Sequence, residues 1–183
     1  MIQIMNLTRR ISLLLLLSVY STAHAVDSGD WENISDVGVY SLVATAIILP
    51  VYKEDWLGFR QAAYSIGTAS GVALLGKSVI DAERPDNSGN DSFPSGHTAN
   101  AFAAATTLNL RYGWRIGFPA YGVSTLVGVA RVEANKHYWR DVIGGAAIGS
   151  LAAWLFTDAV DEHIQIAPWA GRQDAGKMIS MRC

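Results

Sequence analysis

Residues 92–110 read SFPSGHTANAFAAATTLNL, nineteen positions without an Asp, Glu, Lys or Arg. The run is too long for a typical strand and rich in alanine, which favours helix. Pro94 cannot continue a helix from upstream, and Ser95 is a good N-cap for a helix that begins at Gly96 or His97. Such a start exposes unpaired N–H groups and the positive end of the helix dipole, an arrangement that suits an anion. A histidine in the first turn then sits where it can exchange a proton with whatever binds.

Four more stretches lack those charged residues: 37–52, 61–76, 116–130 and 142–157. Each has the length of a helix, and between them lie KEDWLGFR, KSVIDAERPDNSGND, RYGWR and RVEANKHYWRD. The expected fold is all-α, a single bundle of about five helices over residues 26–160, followed by a polar tail over 161–183. Ahead of it, Arg9 and Arg10, the apolar ISLLLLLSVY and the small residues Ala23 and Ala25 read as a secretory signal over 1–25. The alternative for that segment is an uncleaved anchor of the same orientation. Either way the following chain starts outside the cytoplasm.

The chain of 183 residues is 50% hydrophobic and 16% charged with a net charge of −2, so nothing in it suits nucleic acid. Its one cysteine, Cys183, allows neither an internal disulfide nor a cysteine metal site. The charge-free runs are short against the ~20 residues that cross a hydrocarbon core. Their flanks, however, carry Tyr52, Trp56, Tyr112, Trp114, Tyr138 and Trp139, as an interfacial aromatic belt would. Gly67-x3-Gly71 and Gly145-x3-Gly149 are spacings that let membrane helices approach closely, although soluble helical cores use small residues too. A membrane-embedded bundle is the expectation, and a soluble periplasmic one the alternative. If each run crosses, the loops 77–94 and 131–141 share the outer face, while Lys53, Arg60, Arg111 and Arg115 lie inside.

Those two loops hold an unusual set of side chains. The first contributes Lys77, Arg84 followed by Pro85, then Ser95, Gly96 and His97; the second contributes Arg131, His137 and Asp141. Two guanidiniums, an ammonium and a helix N-terminus together neutralise a tetrahedral oxyanion such as phosphate. His137 and Asp141 are at i and i+4, so the carboxylate can accept from Nδ1–H and leave Nε2 free as a nucleophile. With the second histidine as proton donor, the set suffices for phosphoryl transfer with no metal and no cofactor.

KSVIDAERP, PSGH and ARVEANKHYWRD together resemble the three signature segments of the type 2 phosphatidic acid phosphatase family, which shares its site with vanadium haloperoxidases. The family pattern is K-x6-R-P, P-S-G-H and S-R-x5-H-x3-D on an all-helical fold, and the likeness extends over about 37–156. It implies that Lys77, Arg84, Arg131, Ser95 and Gly96 hold the phosphate. It further implies that His137 is a nucleophile forming a phosphohistidine, that Asp141 orients it and that His97 is the general acid. Ala130 departs from the pattern, which has serine there.

The implied activity is a phosphatase or phosphotransferase acting on a lipid phosphate or pyrophosphate at the periplasmic face of a bacterial inner membrane. The alternatives are a soluble periplasmic acid phosphatase on small monoesters, vanadate-dependent halide oxidation, and a non-catalytic helical membrane protein with a decayed site, which Ala130 motivates. Asp86 and Asp91 lie near the site in sequence but have no His or Glu at ligand spacing, so they read as loop carboxylates. His163, in the polar DEHIQ segment, matches no motif.

Overall fold

The computed structural model describes residues 26–157. The segment 1–25 and the tail 161–183, with His163 and Cys183, lie outside the described residues. Five helices follow in order: α1 (Ser28–Tyr52), α2 (Trp56–Val79), α3 (Gly96–Tyr112), α4 (Trp114–Glu133) and α5 (Trp139–Phe156). All five extend beyond the charge-free runs at one end or both, because helix ends recruit polar residues: Asp27 accepts from the Asp30 N–H, and Asp55 from the Gly58 N–H. At its start α3 differs, beginning four residues inside its run because Pro94 ends the preceding loop, and it then continues through Arg111 to Tyr112.

The centre of the bundle is α3, which packs against all four other helices. A helix surrounded in this way needs small side chains, and Ala99, Ala101, Ala103, Ala104 and Ala105 are all fully buried. Leu108 and Val127 fill the space between α3 and α4, with Val39, Leu42 and Ala46 of α1 and Ala62 of α2 completing the main core.

The tightest approach is between α3 and α5. A Cβ on Gly149 would collide with the carbonyl oxygen of Ala99 and lie 2.8 Å from the Ala103 nitrogen; one on Gly145 would collide with the Ser95 carbonyl oxygen. Glycine is required because the facing atoms are backbone and cannot yield. The second expected glycine pair does something else. Gly67 and Gly71 on α2 have open space where a Cβ would stand, so this spacing makes no helix contact within the described residues.

At the end of the bundle where α1 and α2 join, Arg111 donates from Nε and Nη2 to both Asp55 carboxylate oxygens at 2.7 and 2.6 Å, and the Tyr112 hydroxyl adds a third bond at 3.0 Å. These bonds, Arg111's first, lower the Asp55 pKa to about 2. This charged clasp ties the α1–α2 junction to the end of α3. Among the described residues only α1, with a mean hydropathy of 1.8 over its window, is by length and composition long and apolar enough to cross a membrane. Large apolar side chains are nonetheless exposed on every helix but α3, among them Val37, Ile48, Leu74, Leu75, Phe118, Leu151 and Trp154.

Two substitutions of one type are expected to act in opposite directions. Gly149→Ala overpacks the α3–α5 contact and should destabilise by about 1–3 kcal/mol or more. Gly67→Ala meets no neighbour and should stabilise by about 0.5–1 kcal/mol through the lost glycine entropy. Thermal unfolding of both variants in one detergent checks this. Equal midpoints would show that the α3–α5 approach is not what requires glycine.

Candidate active site

The loop between α2 and α3 is closed on itself by backbone bonds. Ala82 donates to the Asn90 carbonyl, Arg84 to that of Gly89, and Ser92 to that of Ala82. Phe93 and Pro94 then wedge the loop between two helices: a Cβ on Gly76 of α2 would lie 2.5 Å from Pro94 Cδ, and one on Gly144 of α5 2.7 Å from the Phe93 ring. The wedge fixes Lys77, next to Gly76, beside the start of α3.

The second loop is a tight turn. Ala134 donates to the Ala130 carbonyl, Lys136 and His137 both donate to that of Arg131, and Asn135 takes φ 56°, a left-handed conformation asparagine tolerates. This turn folds His137 back over Arg131. The Ser95 N–H donates to the Asp141 carbonyl oxygen at 3.0 Å, joining the first turns of α3 and α5. Lys136 bridges the loops through Asp86 at 3.1 Å and reaches Glu32 at 3.6 Å. The two loops expected to share a face therefore meet at one end of the bundle.

Around that meeting point the residues singled out in the sequence converge. Arg84 donates from Nε and Nη2 to the two oxygens of Asp91 at 2.8 and 2.9 Å. Lys77 Nζ donates to the Asp91 backbone carbonyl and lies 3.4 Å from its carboxylate. Arg84's bonds, above all, hold the Asp91 carboxyl below its usual range. Arg131 is buried; its Nη1 donates to Ser35 Oγ at 3.3 Å and stands 4.0 Å from Asp36, while its Nε makes no hydrogen bond within the described residues. Ser95 sits at the N-cap position but does not cap with its side chain. Its Oγ accepts from Thr98 Oγ1 at 3.0 Å, which leaves its own proton free to donate.

His137 and Asp141 are almost wholly buried. The i, i+4 proximity comes from the turn into α5 rather than from a helical face, since α5 begins only at Trp139. His137 Nδ1 lies 3.7 Å from Asp141 Oδ2, short of a hydrogen bond, because that oxygen already accepts from the Ser92 hydroxyl at 2.5 Å and the Tyr138 N–H at 2.8 Å. Burial pushes the His137 pKa down to about 4, with Arg131, Lys77 and Arg84 adding to the shift and Asp141 opposing it. The imidazole therefore stays neutral, and nucleophilic, well below the pH at which a free histidine gains its proton.

His97 faces the same space from the first turn of α3. Its Nε2 lies 2.9 Å from Asp36 Oδ1 of α1. Sequence reasoning missed Ser35, Asp36 and Ser92. The signal for the first two was a polar set, Glu32, Ser35 and Asp36, at helical spacing at the head of an apolar helix.

A cationic pocket holding two histidines, one of them beside a buried carboxylate, is a recurrent site, and a model of the PAP2 superfamily matches residues 58–165. The chain belongs to the PAP2 superfamily. The matched segment includes all eight site residues from Lys77 to Asp141. Among relatives, lipid A 1-phosphatase of Porphyromonas gingivalis is 39% identical over 99 residues, covering 49% of this chain and 22% of that one. Lipid A 4'-phosphatase of Helicobacter pylori is 30% identical over 127 residues, 69% of this chain and 55% of that one. The chain thus spans about half or less of the length of these relatives. Two crystal structures share the fold at 22% identity. Aquifex aeolicus LpxE has a TM-score of 0.61 over 78% of this chain and 92% of its own. A transmembrane PAP2-type phosphatidylglycerolphosphate phosphatase of Bacillus subtilis has a TM-score of 0.58 over 82% and 85%.

The electrostatics of His137 can be read directly. Nitrogen-15 NMR of the imidazoles is expected to show His137 neutral at pH 5.5, far below the ordinary midpoint near 6.5. Asp141→Asn should depress the midpoint further, since it removes a charge that opposes the shift. A His137 that titrates at an ordinary value would show that its burial and cationic surroundings are not as described.

Proposed function

We propose that the protein is a phosphatase that removes phosphate from a phosphorylated lipid through a covalent phosphohistidine on His137. In this reading Lys77, Arg84, Arg131, the Gly96 N–H and the Ser95 hydroxyl hold the non-bridging oxygens. The Nε2 of His137 attacks phosphorus while Asp141, beside Nδ1, keeps the proton on that nitrogen. The P–O bond to the alcohol breaks, its electron pair goes to the leaving oxygen, and His97 supplies the proton. Water then attacks phosphorus, gives a proton to His97 and displaces His137, releasing inorganic phosphate. Charge stabilisation comes from side chains and backbone, so no step passes through a metal.

One observation carries the choice of a lipid. A cavity of about 370 Å³ runs from Lys77, Gly96 and His97 along walls formed by Val39, Tyr40, Val43, Ile66 and Leu74. A phosphate at the polar end would leave an apolar chain against those walls. The names of the relatives support the same substrate class. The resting site already holds an anion, since Asp91 occupies the forked face of Arg84; an entering phosphate has to share or displace that carboxylate.

The exposed apolar residues on α1, α2, α4 and α5 support a bundle embedded in a membrane, and Lys53, Arg60, Arg111 and Arg115 near the opposite end support a periplasm-facing site in the bacterial inner membrane. A soluble periplasmic enzyme on small monoesters is the second reading, favoured by the single helix among the described residues that meets the length and hydropathy of a span. Extraction separates the two readings, because release from membranes by salt alone would support the soluble form.

Phosphate release from phosphatidate, a lipid A preparation and 4-nitrophenyl phosphate, in detergent with EDTA, tests the function. Turnover is expected with a lipid, to persist in EDTA, and to fall by about 10³-fold or more in His137→Ala. A phosphorylated wild-type enzyme, labile to acid and stable to alkali, should be trapped on rapid quenching. A folded His137→Ala variant that matches wild type would overturn the phosphohistidine.

A further inference from the structure

We propose that Asp36 is a positioning residue for proton transfer: it holds His97 through Nε2 so that the opposite nitrogen, Nδ1, delivers the proton to the leaving alcohol. The proposal rests on the phosphatase reading above. It adds to the site a residue from α1, a helix that ends before the family match begins at residue 58.

The geometry is specific. Asp36 Oδ1 lies 2.9 Å from His97 Nε2, a hydrogen-bond distance, whereas the His137–Asp141 approach is 3.7 Å. With Nε2–H committed to a carboxylate, Nδ1 is the nitrogen left for the substrate, and no hydrogen bond to Nδ1 occurs within the described residues. The two histidines are thus held in opposite senses. His137 has its carboxylate on the Nδ1 side and offers Nε2; His97 has its carboxylate on Nε2 and offers Nδ1. Burial and then Arg131 disfavour the charged form of His97, and the Asp36 carboxylate on Nε2–H opposes them, favouring the imidazolium that an acid must be.

Asp36 is itself fixed by its surroundings. Neighbouring Ser35 accepts from Arg131 Nη1, and Arg131 Nη1 lies 4.0 Å from Asp36 Oδ1. Val39 and Tyr40, three and four residues further along α1, line the cavity that leads to His97, so Asp36 is on the helix face that fronts the site. When the P–O bond breaks, its electron pair passes to the ester oxygen, which takes the Nδ1 proton; attack by water returns one proton to Nδ1. Asp36 stays ionised throughout and keeps Nε2–H in place.

A proton donor matters for an alkoxide and hardly at all for a good leaving group, which gives a readout that a purely structural role would not move. Asp36→Ala is expected to lower kcat on dioleoyl phosphatidate about 10–100-fold. Its effect on 2,4-dinitrophenyl phosphate should be less than about threefold, because that phenolate departs without a proton. His97→Ala should show the same split, and Asp36→Ala/His97→Ala should be no worse than His97→Ala alone. Equal losses on both esters, or a further loss in the double variant, would overturn the proposal. If His137→Ala retains both activities, it is the phosphohistidine reading that fails. Independently of turnover, nitrogen-15 NMR at a pH where His97 is neutral should show a fixed Nε2–H in wild type and tautomer averaging in Asp36→Ala; identical spectra would also overturn it.

Discussion

The backbone contact between α3 and α5 is the constraint on which the site depends. Gly145 and Gly149 let α5 lie directly on the Ser95, Ala99 and Ala103 backbone, and the Ser95 N–H reaches the Asp141 carbonyl as a result. Those two helix starts carry His97 and Asp141, so their separation is fixed by atoms that have no rotamers. Side chains longer than a methyl on that part of α3 would displace the start of α5, and with it the turn that presents His137. The alanines of α3 are therefore part of the geometry of the candidate site, although none of them touches it.

A second constraint is electrostatic. Lys77, Arg84 and Arg131 crowd one end of the bundle, and without anions they would repel one another and destabilise the compact state. Asp91 neutralises the first two, while Asp36 stands beside the third, so the cluster is compensated at rest by carboxylates from two different elements. In the proposed reaction an entering phosphate would exchange one anion for another at this cluster instead of creating charge.

The five helices could be read from the sequence because a charge-free run of that length has few alternatives, and the eight residues that converge at one end of the bundle stood out because their types and spacings are chemically unusual together. What stayed hidden has a physical reason in each case. Asp36 stands immediately before the first charge-free run, so missing charge as a criterion put it in a flank instead of on the helix face that fronts the candidate site. Ser92 lay inside such a run and looked like loop, yet its hydroxyl holds the buried Asp141 carboxylate. The glycine pairs were indistinguishable as spacing. Only tertiary placement separates Gly145 and Gly149, which press on backbone, from Gly67 and Gly71, which press on nothing described. Hydropathy, likewise, under-reads the outer surface, because the small residues that pack the core lower the average over each helix.

Ala130 gains a different meaning from its surroundings. It is fully buried, and the arginine that follows it already bonds a hydroxyl, that of Ser35 on α1. The missing serine therefore does not leave Arg131 without such a partner. Arg131 Nε and His137 Nδ1 are nonetheless buried without a hydrogen bond within the described residues, and Asp141 Oδ1 has only Arg140 Nε at 3.5 Å. Each unmet group of this kind costs roughly 1–3 kcal/mol. Two of the three, His137 Nδ1 and Asp141 Oδ1, belong to side chains that face each other, and no anion can satisfy them. Arg131 Nε is the donor that an oxyanion can meet, so in the proposed reaction only its share of the cost is recovered when phosphate binds.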